Sequence, residues 1–482
     1  MAESLLVVDV GTSGLRAAVV RPDATVEHVH HLPLLPDTPA AGLVEFDAAK
    51  MAAAALECAR AALAAGGPVG AVGITNQRAS TIVWDRATGE PLGPGLGWQD
   101  LRTVGECLML REQGLRVAPN ASATKLAHLL DLADPDRTRD VCFGTVDTWI
   151  AWTLSAGELH VTDLSNAAVT GLMHGDGRGW SEPTLELLRI PASVMPSVVD
   201  SSGIIGAASA LEGAPPIAGI AGDQQASLIG QGCVRPGMAK ITFGTGGMLD
   251  MITGADRPAF DTRGDAGTFP IVAWRKGGDI TWGIEAIMLS AGTNVEWLRD
   301  DLGLIDSAEA SAEVAARCES SDGVVYVPAL LGLGTPYWDY GARGTLLGIT
   351  RGSERPHIVR AVLEGVAQRG ADLVDAAEAD GATKLDSIRV DGGMSANPVF
   401  VQALADATQR PVEVSPELEA TTRGAGFLAG LATGTWSSDD DIAATWAAAR
   451  VVDPKAPTDR ARWREACRRA EQWIPELSSL DF

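Results

Sequence analysis

Two carboxylates stand at the ends of apolar, strand-like segments, where the chain turns polar or rich in glycine. Asp9 lies in LLVVDVGTSG, and Asp223 follows the run IAGIAG. Carboxylates in such positions bind Mg²⁺, directly or through water, or accept the proton of an attacking hydroxyl group. Each also has a structural alternative, since Asp9 could bond turn amides and Asp223 could cap the helix that follows it.

The segment after the first carboxylate has the composition of a phosphate-binding turn. In DVGTSG, Gly11 and Gly14 allow positive φ angles, which would let successive N–H groups converge on an anion. Thr12 and Ser13 add hydroxyl donors, and Arg16 adds a positive charge on the expected return strand. A G-x-x-x-x-G-K-[ST] loop is absent and no G-x-G-x-x-G opens the first strand, which disfavours P-loop and dinucleotide-binding proteins. We therefore expect a phosphate here, bridged to the preceding carboxylate by Mg²⁺.

Short β-branched runs alternate with longer Ala/Leu-rich segments of helical period, a pattern typical of α/β domains. The segments LLVVDVGTSGLRAAVV and MAKITFGTGGMLDMIT share one plan, an apolar strand, a tight Gly/Thr turn and an apolar return strand. This repeat predicts two similar domains, residues 1–232 and 233–482, with the boundary near residues 230–236. Small residues in TTRGAGFLAGLATG predict close packing of two helices where the domains cross.

Composition and charge exclude several classes of function. The chain has 482 residues, long enough for two domains, and a 46% hydrophobic content that permits a core. A formal charge of -24 argues against binding nucleic acid or anionic membranes by neutralising phosphates. The six cysteines are scattered without close pairs, so we expect no disulfide framework, and we predict a reducing, cytoplasmic location. Neither a targeting signal nor a membrane span is predicted.

A resemblance to a known family runs from about residue 5 to residue 435. The motifs DVGTSGLRAAVV, GITNQRAST, WQDLRT, IAGIAGDQQASLIGQG, GMAKITFGTGG, GLGTPYWDYGARGTLLGITRG and DGGMSAN resemble the FGGY family of carbohydrate kinases, and most of all its glycerol kinases. The segment GTLLGITRGSERPHIVRAVLE is similar to the C-terminal signature of that family. The resemblance implies two actin-like (ribonuclease H-like) ATPase domains that bind ATP and a sugar or polyol in the cleft between them.

The resemblance also implies roles for individual residues. Asp9 matches the carboxylate that organises Mg²⁺, and Asp223 matches the catalytic base. The implied acceptor contacts are Arg78, Trp98, Asp223 and Gln224. The implied contacts with ATP are Thr12, Ser13, Arg16, Gly244, Thr245, Gly246, Gly292, Gly392, Gly393 and Asn397.

Three positions depart from the glycerol kinase pattern. Ala79 stands where those kinases have an acidic residue that binds acceptor hydroxyls, Asn120 where they have a tyrosine, and His128 where they have a tryptophan. Losing a hydroxyl acceptor and an aromatic wall should weaken glycerol binding and leave extra room. We therefore expect a four- or five-carbon polyol or a ketose such as a pentulose as the acceptor.

Two functions of different classes fit these observations. The first is an ATP-dependent kinase that phosphorylates a terminal hydroxyl of a small polyol or sugar, with ATP and Mg²⁺ as cofactors. The second is an actin-like or chaperone-like ATPase module, in which no small molecule is phosphorylated. Arg78 and Trp98, together with the absence of an appended client-binding domain, favour the kinase. The sequence leaves a homodimer or a homotetramer open.

Overall fold

The computed structural model describes residues 3–416 and 419–480 as one mixed α/β structure. Its strands, numbered in chain order, are β1 (Leu5–Val10), β2 (Gly14–Val20), β3 (Val26–Pro33), β4 (Glu45–Phe46), β5 (Ala71–Asn76), β6 (Ile82–Asp85), β7 (Gly95–Leu96), β8 (Val141–Gly144), β9 (Val161–Asp163), β10 (Ser197–Val199), β11 (Ser202–Ala207), β12 (Pro216–Gly222), β13 (Ala239–Phe243), β14 (Gly247–Gly254), β15 (Phe269–Lys276), β16 (Asp279–Met288), β17 (Val325–Val327), β18 (Thr345–Leu347), β19 (Ile388–Asp391), β20 (Val412–Val414) and β21 (Arg450–Val452). Most of the strand residues that position the site are buried.

The helices that cover the strands are numbered in the same way. They are α1 (Ala48–Gly66), α2 (Val104–Glu112), α3 (Ala123–Ala133), α4 (Val146–Leu154), α5 (Leu164–Ala168), α6 (Glu182–Leu187), α7 (Asp223–Gly230), α8 (Thr293–Glu296), α9 (Ala310–Ala315), α10 (Arg355–Asp380), α11 (Pro398–Thr408), α12 (Ala420–Thr433), α13 (Asp439–Ala444), α14 (Arg460–Ala470) and α15 (Pro475–Ser478). Short 3₁₀ turns lie at Ala192–Val194 and Gly393–Ala396, and a π-helical turn lies at Trp297–Asp301.

One sheet runs through the described part of the chain, in the strand order β21-β20-β19-β13-β14-β16-β15-β11-β12-β5-β1-β2-β3. β1 pairs antiparallel with β2 and parallel with β5, and β13 pairs antiparallel with β14 and parallel with β19. The orders β3-β2-β1-β5-β12 and β16-β14-β13-β19-β20 thus repeat one topology in the two halves of the chain. This confirms the two predicted hairpins and the actin-like fold.

Each half has its own apolar core. β1 reads LLVVDV and is buried along its whole length, because helices or loops cover both faces of a central parallel strand. The largest core of the C-terminal half gathers β13, β14 and β16 under α10 and α11. Among the described helices, none is long and apolar enough to cross a membrane. All six cysteines lie within the described ranges as free thiols; the cytoplasmic location stays a prediction.

Helices α7 and α12 cross at very short range between the two halves, as the run of small residues predicts. A Cβ atom added to Gly424 would lie 1.7 Å from the carbonyl oxygen of Ala226, and one added to Gly230 would lie 1.8 Å from that of Ala420. α12 also packs on β5 and β12, where a Cβ on Gly73 would lie 2.6 Å from the carbonyl oxygen of Ala425. This crossing places the start of α7 and the first turn of α12 beside the end of β1. The predicted division of the chain at residue 232 stays a prediction.

Candidate active site

Asp9 lies near the carboxyl end of β1, with its side chain only 7% exposed. Its cross-strand partner Arg16 places Nε 3.6 Å from Asp9 Oδ2, and Thr422 of α12 donates its hydroxyl to the same oxygen at 3.3 Å. Burial raises the pKa of Asp9 to about 6, although the charge of Arg16 opposes the shift. Arg16 also bonds Glu419, so its assignment as a triphosphate contact stays a prediction.

The turn between β1 and β2 differs from the prediction at its glycines. Neither Gly11 nor Gly14 has a positive φ angle, and Gly11 N donates to Gly14 O at 2.9 Å to close the turn. A Cβ atom on Gly14 would lie 2.4 Å from Nε2 of the exposed His31, which can move aside, and 3.2 Å from the carbonyl oxygen of Leu32. The expectation that positive φ angles aim the N–H groups of this turn is therefore wrong. Ser13 is exposed at the tip of the turn, where its hydroxyl is open to a ligand.

Trp98 joins the phosphate turn to the predicted acceptor side. Trp98 Nε1 donates a 3.1 Å hydrogen bond to Thr12 Oγ1, and its backbone N donates to Ser80 Oγ at 3.0 Å. The backbone oxygens of Trp98 and Asn120 both accept from Lys125 Nζ, at 3.1 and 3.2 Å. Burial lowers the pKa of Lys125 to about 8. Lys125 therefore holds together the two loops that carry Trp98 and Asn120.

Asp223 is the first residue of α7, directly after β12. Gly222 is the N-cap of this helix, so the alternative of Asp223 as the N-cap is wrong. Asp223 Oδ1 accepts from Gln224 N at 2.8 Å and lies 3.6 Å from Arg78 Nε. The other end of the Arg78 guanidinium donates from Nη2 to Glu285 Oε2 at 2.7 Å. Burial raises the pKa of Asp223, and the charge of Arg78 opposes the shift.

Arg78 holds an unused hydrogen-bond donor beside Asp223. Its side chain is 12% exposed, and its Nη1 atom is buried with no hydrogen-bond partner among the described residues. Burial alone would lower the pKa of Arg78, but the charges of Glu285 and Asp223 outweigh it and raise that pKa. A buried donor without a partner is costly, and Nε of the same guanidinium lies 3.6 Å from Asp223 Oδ1, so this arginine and the carboxylate together suit a polar ligand that bonds both groups.

Lys240 is a further site residue, which the sequence analysis did not single out. It is fully buried on β13 and donates from Nζ to Gln224 Oε1 at 2.6 Å and to Thr242 Oγ1 at 3.0 Å. Glu285, on β16, was missed in the same way. Lys240 is the one charged residue of the strand AKITF, and Glu285 is the one charged residue in the interior of DITWGIEAIM, which begins with the exposed Asp279. That pattern is a usable signal, because a charge is buried in a strand only when it is paired.

The second hairpin turn, between β13 and β14, contains Gly244, Thr245 and Gly246. Ala291 N donates to Thr245 O and Gly292 N donates to Gly244 O, both at 2.8 Å. A Cβ atom on Gly292 would lie 2.6 Å from Gly244 O, so only glycine allows this approach. The structure therefore brings Gly292 to the hairpin turn.

The DGGMSAN segment follows β19 and packs against the same hairpin. Gly392 has a φ angle of 82°, and a Cβ atom there would lie 2.4 Å from Phe243 O. Gly393 has open space around it. Asn397 caps α11, where its Oδ1 accepts from two N–H groups, and its Nδ2 donates to Ser311 Oγ at 2.9 Å. Because both ends of that amide are engaged, its assignment as a nucleotide contact stays a prediction.

Of the positions that depart from the glycerol kinase pattern, Ala79 directly follows Arg78. Ala79 is 4% exposed, has a φ angle of 61°, and its carbonyl accepts from Ser122 Oγ at 3.0 Å. Its methyl group offers no hydrogen-bond acceptor. Asn120 is exposed, and His128 is half-buried on α3.

Two actin-like halves, each with a Gly/Thr hairpin turn, and a buried carboxylate beside an arginine define a sugar-kinase type of ATPase. The model of the FGGY family of carbohydrate kinases, N-terminal domain, matches residues 4–230, and that of the C-terminal domain matches residues 239–433. The chain therefore belongs to the FGGY family of carbohydrate kinases. It is an ATP-dependent kinase with an alcohol group as acceptor, and the alternative of an ATPase module without a small-molecule acceptor is not supported.

Individual relatives agree with this assignment. A glycerol kinase of Aromatoleum aromaticum is 45% identical, over 98% of this chain and 99% of its own length. Glycerol kinase 2 of Thermotoga maritima is 39% identical, over 97% and 99%. The crystal structure of Plasmodium falciparum glycerol kinase with ADP superposes with a TM-score of 0.88 at 27% identity, covering 99% of each chain. A xylulose kinase of Lactobacillus acidophilus shares the fold, with a TM-score of 0.84 at 20% identity over 97% and 96%.

Proposed function

We propose that this kinase transfers the γ-phosphoryl group of ATP to a terminal hydroxyl of a polyol or ketose that is larger than glycerol. The observation that carries the proposal is the arrangement of Arg78 and Asp223, with a buried guanidinium donor unused beside a carboxylate. An acceptor hydroxyl at this place would accept from Arg78 and donate to Asp223. Phosphoryl transfer needs this kind of positioning more than it needs covalent chemistry.

Asp223 is the proposed general base. It takes the hydroxyl proton as that oxygen attacks the γ-phosphorus, while the bond to the β,γ-bridging oxygen breaks and ADP leaves. The raised pKa of Asp223 suits this role, because a more basic carboxylate accepts a proton more readily. Arg78 orients the acceptor, and the indole of Trp98 packs against it.

Asp9 is the proposed Mg²⁺-organising carboxylate. Oxygen donors from Asp9 and the Thr422 hydroxyl face one another at the end of β1, and such a donor set fits this hard cation. Bound Mg²⁺ supplies charge neutralisation for the phosphates. The proposed ATP contacts are the residues implied by the family resemblance, namely Thr12, Ser13, Arg16, Gly244, Thr245, Gly246, Gly292, Gly392, Gly393 and Asn397.

The preference for a larger acceptor rests on Ala79 and Asn120. A buried methyl group at Ala79 replaces a hydroxyl acceptor, and Asn120 replaces an aromatic ring and is exposed. Both changes remove contacts that a three-carbon acceptor would use and enlarge the space beside Arg78. Glycerol itself is the second candidate, favoured by the relatives named glycerol kinase at 39–45% identity.

An acceptor panel distinguishes the two candidates. Coupled ADP-release assays would compare kcat/KM for glycerol, tetritols, pentitols and pentuloses with the basal ATPase rate. The proposal expects a larger acceptor to exceed glycerol by about tenfold or more, as loss of a hydrogen-bond partner alters discrimination. Ala79→Glu should raise kcat/KM for glycerol, whereas the matched Ala79→Gln, which lacks the charge, should raise it less. A clear preference of the unaltered chain for glycerol would overturn the larger-acceptor proposal.

A further inference from the structure

Three charged side chains form a row across the sheet next to the proposed base. Lys240 on β13 is the register partner of Asp250 on β14, and Asp250 is in turn the register partner of Glu285 on β16. Directly opposed residues share one face of a sheet, with Cβ atoms about 5 Å apart. Lys240 and Asp250 have no exposed surface, and Glu285 is 6% exposed. The row is therefore a buried charge cluster.

Both ends of this row reach Asp223. At one end, Glu285 Oε2 accepts from Arg78 Nη2 at 2.7 Å, and Arg78 Nε lies 3.6 Å from Asp223 Oδ1. At the other end, Lys240 Nζ donates to Gln224 Oε1 at 2.6 Å, and Gln224 N donates to Asp223 Oδ1. The side chains thus close a ring around the proposed base.

The ring holds more carboxylates than cations. It contains the carboxyl groups of Asp223, Asp250 and Glu285 but only the two cations Arg78 and Lys240. Asp250 Oδ2 forms an ion pair with Lys240 Nζ at 2.9 Å, but neither carboxylate oxygen of Asp250 has a hydrogen-bond partner among the described residues. A proton on Glu285 would give Asp250 a donor and would balance the charge of the ring.

The surroundings favour a proton on Glu285. Burial raises its pKa to about 7, the charge of Arg78 opposes this, and the charge and hydrogen bond of Asp250 add to it. Asp391, on the neighbouring β19, is a further carboxyl group near the row. The pKa of Asp391 is raised overall. Burial has the largest effect, the charge of Lys240 opposes it, and the charge of Asp250 adds to it.

We propose that Asp250 and Glu285 share one proton, and that this pair positions Arg78 and the Lys240–Gln224 bond around Asp223. Glu285 and Asp250 are then positioning residues, since they act through Arg78, Lys240 and Gln224. The proposal rests on the proposed role of Asp223. Loss of the shared proton leaves two adjacent carboxylates, which draws Arg78 toward Glu285 and away from the acceptor.

The pH dependence of acceptor binding tests this proposal. In the unaltered enzyme, KM for the preferred acceptor should rise about 3- to 10-fold as the pH passes upward through neutrality, the size of a typical coupling between neighbouring groups. Glu285→Gln keeps both hydrogen bonds without a titrating proton. It should therefore retain the low KM on both sides of neutrality. An unchanged KM rise in Glu285→Gln would overturn the proposal.

Infrared spectroscopy detects the proton without an assay of activity. Asp147, whose pKa burial also raises to about 7, contributes a C=O stretch of its own to both proteins. The signal of Glu285 is therefore the band that remains when the spectrum of Glu285→Gln is subtracted from that of the unaltered protein just below neutral pH, and it should disappear above neutrality. The matched control Glu378→Gln alters another buried carboxylate of the same half, bonded to Arg410 and Lys384, and should keep it. If subtracting the spectrum of Glu285→Gln from that of the unaltered protein leaves no such band, the shared proton is refuted, whatever the role of Asp223.

Asp250→Asn tests whether Asp250 shares the proton with Glu285 or has only a structural role. Asparagine keeps an oxygen that accepts from Glu285 but removes the neighbouring negative charge. The infrared band should persist, and both its titration and the KM rise should move to lower pH, because Glu285 then ionises more easily. If the midpoint of neither the band nor the KM rise moved, Asp250 would be excluded from the pair.

Discussion

Trp98 Nε1 donates a 3.1 Å hydrogen bond to Thr12 Oγ1, which joins the predicted acceptor side directly to the turn after β1. The two residues are 86 positions apart in the chain. The family resemblance implies a contact with the acceptor for Trp98 and a contact with ATP for Thr12. The bond means that the loop bearing Trp98 and the phosphate turn hold a fixed relative position, so a change in one is expected to alter the other.

Trp98→Phe tests this connection. The variant keeps most of the ring packing and loses the hydrogen bond to Thr12, so we expect KM for both ATP and the acceptor to rise about three- to tenfold. The control Trp180→Phe loses a comparable bond, made to the carbonyl of Pro196 and not to Thr12 or Trp98, and should leave both KM values unchanged. A rise confined to the acceptor KM would show that the bond does not link the two sites.

Asp9→Asn should lower activity without lowering stability at neutral pH. The pKa of Asp9 in the fold is about 6, above its ordinary value of 3.8, so the folded state binds this proton more tightly than the unfolded chain does. Ionising Asp9 as the pH rises from about 4 to about 6 therefore lowers the free energy of unfolding. Asp9→Asn avoids that loss. Above about pH 6 its Tm should equal or exceed that of the unaltered protein, while kcat falls by about 100-fold or more.

Asp47→Asn is the control, because the fold lowers the pKa of Asp47 whereas it raises that of Asp9. Asp47 caps α1, and the hydrogen bond from Lys50 N lowers its pKa. Its carboxylate therefore stabilises the fold above its unfolded pKa and loses this effect as the pH falls through the lower, folded value. The variant should lose a little stability at neutral pH and keep full activity. An Asp9→Asn protein that was active, or that melted several degrees lower at neutral pH, would contradict the role assigned to Asp9.

The sequence predicted that Asp9 and Asp223 stand at the ends of strands, and it failed where contacts join distant segments. Asp9 and Asp223 were recognisable because a lone carboxylate after an apolar strand is a local pattern. Thr422 reaches Asp9 across 413 positions, and Arg78 reaches Glu285 across 207. No local periodicity shows which distant segments meet, so these contacts could not be derived from single motifs.

The glycines show a second limit of sequence reasoning. Composition indicates that a glycine can adopt a positive φ angle, but not whether it does so. Gly392 does, whereas Gly14 does not and lies close to the His31 side chain and the Leu32 carbonyl oxygen instead. Of the three glycines of α12 that we predict to pack two helices closely, Gly424 meets α7, whereas Gly426 meets Val20 of β2 and Gly430 meets Trp436 and Leu5.

Gly424→Ala tests the crossing of α7 and α12. The added methyl group would meet the carbonyl oxygen of Ala226 at 1.7 Å, so the helices must separate, at a cost of about 3 kcal/mol or more. Calorimetry should show a clear drop in Tm. Gly105→Ala, on α2 with nothing within 4 Å, should change stability by less than about 1 kcal/mol, in the favourable direction. Equal Tm values for the two variants would mean that the crossing is looser than described.

Asp223→Asn tests the mechanism most directly. Asparagine keeps the shape of the side chain and its bond to Gln224 N but cannot accept the hydroxyl proton. A positioned base contributes about 10²–10⁴-fold to such a step, so kcat should fall by that factor while KM for ATP and the acceptor changes little. In the unaltered enzyme, kcat should rise with pH as Asp223 ionises, and in the variant this rise should vanish. Calorimetric titration would measure acceptor affinity independently of turnover. If that affinity collapsed while kcat at saturation survived, Asp223 would be a binding residue and another group would accept the proton.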